Sequence, residues 1–254
     1  MPDTDFRSPR LYVDAPLVAG GRVPLDRNQG NYLGNVLRLG SGATVLVFNG
    51  RDGEWRAAIS GRKRLEHLDI VAATRTQDRL PDLHYVFAPL KHARLDYMVQ
   101  KAVEMGVRGL QPVLTRFTQV TRVNSERMRA NVVEAAEQCG ILSLAAVEEP
   151  VALDRWLTRR APERLLVFCD EAAETANPAA ALEELRGGTS RGVDVLVGPE
   201  GGFAEGERAA LLGQSGILRL SLGPRILRAD TAAVAVLALV QTVLGDWTTS
   251  EKHA

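Results

Sequence analysis

Up to about residue 74 the apolar positions come in short bursts separated by turn-forming residues, a rhythm of strands rather than of helices. Residues 11–13, 22–25, 44–48, 54–59 and 65–71 are the predicted strands. Asn49-Gly-Arg-Asp-Gly53 between two of them predicts a hairpin turn, since glycine supplies the positive φ such turns need. One short helix is predicted from Asp26, as N-cap, through Val36 and Leu37. Short strands with a single helical interruption predict a small β-barrel over residues 1–74. Residues 75–83, polar and holding Pro81, are the expected linker.

The texture then changes. A strand at 84–88 precedes a helix at 93–105, in which Leu95, Met98, Val99, Ala102 and Val103 recur at helical spacing and Gly106 marks the end. A strand at 110–114 and a helix from Ser125, read as its cap, to Cys139 come next, followed by buried strands at 165–168, 193–197 and 217–220. Apolar strands alternating with helices predict an α/β domain over residues 84–254, with a mostly parallel sheet covered on both faces. The helix at 231–244 shows no polar face from Ala232 to Val240, so it must be buried all round, by a neighbour in the chain or by a symmetry mate.

With 254 residues, 45% hydrophobic and 24% charged, the chain has the composition of a soluble globular protein. Its charged start lacks the apolar core of a signal peptide, and residues 231–244 are too few to span a bilayer, so a cytoplasmic protein with no membrane partner is expected. Cys139 and Cys169 form no CxxC, and His67, His84, His92 and His253 show no ligand spacing; reduced thiols and no metal are expected. The formal net charge is zero, yet residues 1–130 hold 20 basic against 13 acidic residues and residues 131–254 hold 11 against 18. A basic half rich in arginine suits a polyanion such as RNA, with Arg62-Lys-Arg64 and Lys91-His-Ala-Arg94 as compact runs; scattered solvated charge is the plainer alternative.

In open α/β sheets ligands bind beyond the carboxyl ends of strands, which directs attention to the loops after Val197 and Leu220. Gly198-Pro-Glu-Gly-Gly-Phe203 is a glycine-rich turn but neither GxGxxG nor GxxxxGK[ST], so the known phosphate cradles are not indicated. A tight strand-to-helix turn would need the same glycines. In Ser221-Leu-Gly-Pro-Arg-Ile-Leu-Arg-Ala-Asp-Thr231, two arginines precede an apolar helix; Asp230 and Thr231 are natural N-cap residues, and Arg225 is as able to pair with a carboxylate as to meet a ligand.

Taken together, the two loops resemble the signature loops of the ribosomal RNA small subunit methyltransferase E family, uracil-N(3) methyltransferases of 16S rRNA within the SPOUT superfamily. Val36-Leu-Arg38 with Gly40-Ser-Gly42, Gln100-Lys-Ala-Val-Glu-Met-Gly106 and Glu137-Gln-Cys-Gly140 extend the resemblance over nearly the whole chain. The sequence departs from the family at Asn35, Phe117, Ile141 and Asp230. The resemblance implies a SPOUT-type trefoil-knotted, mostly parallel sheet behind an N-terminal PUA-like β-barrel. It also implies a homodimer, S-adenosylmethionine as cofactor, and 16S ribosomal RNA of the small ribosomal subunit as partner.

It further implies roles for particular residues. Val197, Gly198, Pro199, Glu200, Gly201, Gly202, Leu218, Leu220, Ser221, Leu222, Gly223, Ile226 and Leu227 would bind the cofactor. A Cβ at Gly201 is expected to strike the ligand or force the turn from its φ. Deprotonating a uracil nitrogen requires stabilising an anion, for which Arg228 and Arg225 are the candidates, with Glu200 or Asp230 as proton acceptor. Arg10, Arg38, Arg51, Arg56, Arg62, Lys63, Arg64 and Arg116 would contact RNA. A SPOUT methyltransferase of another RNA, or a non-catalytic RNA-binding protein with a relict pocket, are the competing readings.

Overall fold

Val45, Leu46, Val47 and Phe48 are all buried because both faces of their strand are covered: Val45 and Val47 pack into one hydrophobic core and Phe48, on the opposite face, into another. The computed structural model describes residues 5, 7–61, 64–120, 122–175, 177–187 and 192–248. Most of the chain divides into two units: residues up to Arg79 together with Ala136–Leu144, and Leu80–Ala135 together with Ala145–Glu251.

In the first unit, β1 (Arg10–Tyr12), β2 (Arg22–Pro24), α1 (Arg27–Asn31), β3 (Thr44–Phe48), β4 (Glu54–Ser60) and β5 (His67–Arg75) follow in chain order. The expected barrel is a five-stranded sheet in the order β1-β3-β4-β5-β2, and β1 and β2 share no ladder among the described residues. Asp26 caps α1 through a reciprocal pair of hydrogen bonds with Gln29, and the helix then widens into a π turn at Tyr32–Val36. Leu11, Val23, Val47, Ile59 and Leu68 from the strands and Leu33 from the π turn form the core. The expected linker is partly structure: β5 runs on to Arg75, and Gln77 and Asp78 bond Ser143 Oγ and the Leu142 N–H. Phe48, Ala136 and Leu142 pack together, so residues 136–144, assigned to the second domain by sequence, complete the first unit.

The second unit opens with β6 (Leu83–Phe87), α2 (His92–Glu104), β7 (Gly109–Leu114), α3 (Ser125–Cys139), β8 (Ala146–Val147), β9 (Val151–Ala152) and α4 (Leu153–Arg159). It continues with β10 (Leu165–Cys169), α5 (Pro178–Glu183), β11 (Val193–Val197), α6 (Glu205–Leu212), β12 (Ile217–Leu220) and α7 (Ala229–Val243). Its sheet, ordered β12-β10-β11-β6-β7-β8 with β9 also on β7, is parallel throughout. Leu153, Leu157 and Leu211 pack from α4 and α6 against Val86, Leu166, Phe168 and Leu196. α2 and α5 pack with α7, and α7 with β11.

Two predicted caps differ. Asn124, not Ser125, accepts the Arg127 N–H at 3.0 Å, leaving the Ser125 hydroxyl for Glu149. α7 starts two residues before Thr231, with Arg228 as its extended N-cap, and Asp230 lies in the first turn. There its negative charge faces the positive end of the helix dipole, as well placed as at the cap itself.

Candidate functional site

Because β12, β10 and β11 are neighbours, the loops that follow them open at one edge of the sheet. They enclose a cavity of about 310 Å³, a volume at the small end of ligand pockets. Its wall holds Val197, Gly198, Pro199, Glu200, Gly201 and Gly202 from the first loop, and Leu220, Ser221, Leu222, Gly223, Arg225, Ile226 and Leu227 from the second. Of the expected cofactor residues only Leu218 is off the wall: it sits two positions inside β12, paired with Val167. Phe168, Cys169, Asp170, Glu171, Ala172 and Arg208 line the cavity as well. Sequence reasoning missed them because neither the end of β10 and its following loop nor Arg208 in α6 carries a glycine or proline signal; only the tertiary packing brings them here.

The first loop is shaped by what its glycines leave room for. A Cβ on Gly198 would lie 2.4 Å from the Phe203 ring, which folds back beneath the loop and packs edge-on against Phe168. The Gly202 N–H closes the turn onto the Pro199 carbonyl at 2.9 Å, and Gly202 itself has φ +70. Gly201 needs no such φ: the group a Cβ there would press on is Phe117, at 3.3 Å, which corrects the expectation that its φ decides the turn. In the second loop the Ser221 N–H is bonded to Thr175 Oγ1 and Gly223 has φ +107. Among the described residues the N–H groups of Leu222, Gly223, Ile226 and Leu227 have no protein partner, so the wall offers a ligand unspent backbone donors.

Charge around the cavity is arranged in two clusters. Asp170, 7% exposed, accepts from Arg208 at 2.8 Å, from Arg219 at 2.9 Å and from the Ala172 N–H, which stiffens the loop after β10. Arg94, from α2, joins the first loop to the start of α7: it donates to Glu200 Oε1 at 2.6 Å and to both oxygens of Asp230 at 3.0 and 3.2 Å. The Arg94 hydrogen bonds hold the Asp230 carboxyl below its ordinary range. Asp230 has both oxygens engaged, whereas Glu200 Oε2 has no partner among the described residues. Arg225 is exposed on the wall; Arg228 is exposed on the same loop but off the wall, and neither has an ion pair among the described residues. Burial pushes the Cys169 thiol up to about 12, so it is neutral and no nucleophile.

The residues expected to meet RNA divide. Arg10 is 6% exposed, and its Nε is bonded to the buried Glu54 at 2.8 Å, so it belongs to the core of the first unit; the expectation of an RNA contact there is corrected. Arg38, in left-handed backbone with φ 56, and Arg51, Arg56 and Arg64 are exposed in the first unit, and Arg116 is exposed in the second. Arg62 and Lys63 lie outside the described residues.

The family model of the RNA methyltransferase domain matches residues 77–241, and that of the RNA methyltransferase PUA domain matches residues 25–66. A Synechocystis protein named ribosomal RNA small subunit methyltransferase E is 30% identical over 92% of this chain and 78% of its own length. The structure of the Neisseria gonorrhoeae enzyme of the same name, bound to S-adenosyl methionine, aligns with a TM-score of 0.79 at 27% identity, over 95% of this chain and all of that one. A Legionella pneumophila methyltransferase solved with bound cofactor SAM aligns with a TM-score of 0.80 at 28% identity, over 93% of this chain and 98% of that one.

Proposed function

Because the chain belongs to the ribosomal RNA small subunit methyltransferase E family, we propose that it methylates N3 of a specific uridine in 16S ribosomal RNA of the small subunit, using S-adenosylmethionine. The observation that carries the reading is the three-loop cavity, whose unspent backbone donors and leucine side chains suit the edge and faces of an adenine. Leu220, Leu222 and Leu227 would supply the apolar walls, and the N–H groups of Leu222, Gly223 and Leu227 the hydrogen bonds. S-adenosylmethionine, when bound, supplies a methyl group on a sulfonium.

The remaining chemistry belongs to the protein. The uracil imide is a poor nucleophile until it loses its proton, and the resulting anion carries charge on both flanking oxygens. Arg225 and Arg228, exposed and without an ion pair among the described residues, are the cations to hold that charge. Glu200 is the proton acceptor of this reading, since one carboxylate oxygen is anchored by Arg94 and the other is open, while Asp230 is spent on Arg94. Arg38, Arg51, Arg56 and Arg64 would hold the surrounding RNA through phosphates. The trefoil-knotted SPOUT arrangement and a cytoplasmic homodimer complete the reading. For the homodimer, Val234, Ala235, Ala238 and Leu239 leave one apolar side of α7 half-exposed in the single chain.

The test is to titrate S-adenosylhomocysteine into the full chain by calorimetry and then to measure methyl transfer. Arg225→Ala and Arg228→Ala should each lower turnover by about 10²–10³ with unchanged cofactor affinity. Loss of cofactor affinity in step with turnover would make the arginines part of the pocket's shape and remove their catalytic assignment.

A further inference from the structure

We infer that Phe117 is a stacking platform for a nucleobase of the RNA substrate, placed beside the wall of the cofactor cavity; this rests on the functional reading above. Phe117 is 46% exposed, and unlike an exposed tyrosine or tryptophan it has no polar group that gains from water. An apolar ring on a mobile surface loop would need no explanation. This one is fixed.

The loop after β7 is a closed turn: the Thr118 N–H bonds the Thr115 carbonyl at 3.2 Å, and the Thr115 N–H bonds Thr118 Oγ1 at 2.9 Å. The Arg116 N–H is held by Glu207 Oε1 at 2.7 Å, and the other oxygen of Glu207 accepts the Ala204 N–H at 2.9 Å. Ala204 directly follows the glycine-rich loop. Two carboxylate oxygens of one residue thus tie the turn that carries Phe117 to the end of the loop that forms the cavity wall. The contact is also close, since a Cβ on Gly201 would lie 3.3 Å from Phe117 Cβ and 3.7 Å from its Cγ. Glycine at 201 lets the aromatic residue sit directly against the backbone of that wall.

On its other side the same loop leads into a second cavity, of about 1020 Å³, which begins at Gln119 and Val120. Lys91, Arg122, Arg127 and Arg129 line it together with Asp96, Glu126 and Glu149; Arg127 pairs with Asp96 and Arg129 with Glu149, while Lys91 and Arg122 have no ion pair among the described residues. Phe117 therefore lies against Gly201 of the cavity that would hold the methyl donor and two residues before Gln119 of the second cavity. Single-stranded RNA is gripped by this combination: cations follow the phosphates, and an aromatic face receives a base that has left its stack. Methylating a ring nitrogen requires the base to be unstacked, and a fixed phenyl face offsets part of the stacking lost.

The experiment uses the full chain with 16S ribosomal RNA, as transcript and in small subunits. Phe117→Ala should weaken RNA affinity roughly 5- to 150-fold, the range of one base–aromatic stack, with S-adenosylhomocysteine affinity unchanged. Phe117→Tyr and Phe117→Trp should restore affinity, whereas Phe117→Leu, which keeps bulk without a π face, should not. The added indole of Phe117→Trp should lose emission on RNA binding beyond the change seen in wild type. Wild-type affinity in Phe117→Leu or Phe117→Ala would overturn the inference. So would a parallel loss of S-adenosylhomocysteine binding, which makes Phe117 a prop for the glycine loop, or a shift to a smaller species in sedimentation, which makes it a subunit contact. RNA affinity is read without cofactor, so a wild type that stacks RNA on residue 117 but methylates nothing supports the stacking and fails the functional reading instead.

Discussion

Glu54 gathers four side-chain hydrogen bonds around one carboxylate that is 1% exposed: two from Arg75, at 2.8 and 3.1 Å, one from Arg10 at 2.8 Å and one from the Thr74 hydroxyl at 2.9 Å. Burial pushes its pKa up, but the hydrogen bonds from Arg75, Arg10 and Thr74 and the charge of Arg75 together outweigh burial, and the group titrates below its ordinary range. A carboxylate whose folded pKa is depressed stabilises the fold above the unfolded pKa and loses that contribution as pH falls through the folded value. The first unit should therefore weaken below about pH 4.5, the ordinary glutamate value. Glu54→Gln should flatten this acid limb in urea unfolding followed across pH. Glu54→Ala, which removes the buried carboxylate paired with both Arg10 and Arg75, should cost about 3–5 kcal/mol at neutral pH. An acid limb unchanged in Glu54→Gln would place the titration elsewhere. Arg10 reads in the sequence as one more cation of a basic half; its partner lies 44 positions away, across two strand pairings, and no local pattern shows it.

At the scale of the element, α7 illustrates what an apolar run does and does not disclose. The run from Ala232 to Val240 demanded burial, and Ala232, Ala233, Val236, Leu237 and Val240 are buried. The polar residue just beyond it matters as much. Gln241 is fully buried; its Nε2 donates to the Met105 carbonyl at 2.6 Å and its Oε1 accepts the Asp246 N–H at 3.2 Å, so it satisfies the end of α2 and the chain beyond α7 together. Gly106 is needed here twice over: its φ is +75, and a Cβ would lie 2.6 Å from Gln241 Nε2. Gln241→Leu keeps the bulk but removes both of these side-chain hydrogen bonds from a buried position, and should lower stability by about 1–3 kcal/mol in denaturant unfolding. A variant as stable as wild type would show that water serves both groups equally well.

At the scale of the whole molecule, what the sequence discloses is what neighbours in sequence decide. The strands at Thr44–Phe48, Val193–Val197 and Ile217–Leu220 have the predicted limits, because each is an apolar run bounded by turn residues. The two glycine-containing loops disclose their place for the same reason. Long-range relations stay hidden: the packing of residues 136–144 with the first unit, the meeting of Asp170 with Arg208 and Arg219, and the capture of Glu200 and Asp230 by Arg94 each join segments that only the strand order and the helix packing bring together. The acids near the cavity could be named from sequence, but which of them is left with an open oxygen depends on an arginine more than a hundred positions away. The most direct measurement is nucleoside mass spectrometry of 16S ribosomal RNA from cells lacking this chain, from the parent, and from cells complemented with wild type or Arg225→Ala. N3-methyluridine present in the parent, absent without the chain, restored by wild type and reduced in the Arg225→Ala strain is the predicted result. An unchanged level of N3-methyluridine in cells without the chain would contradict it.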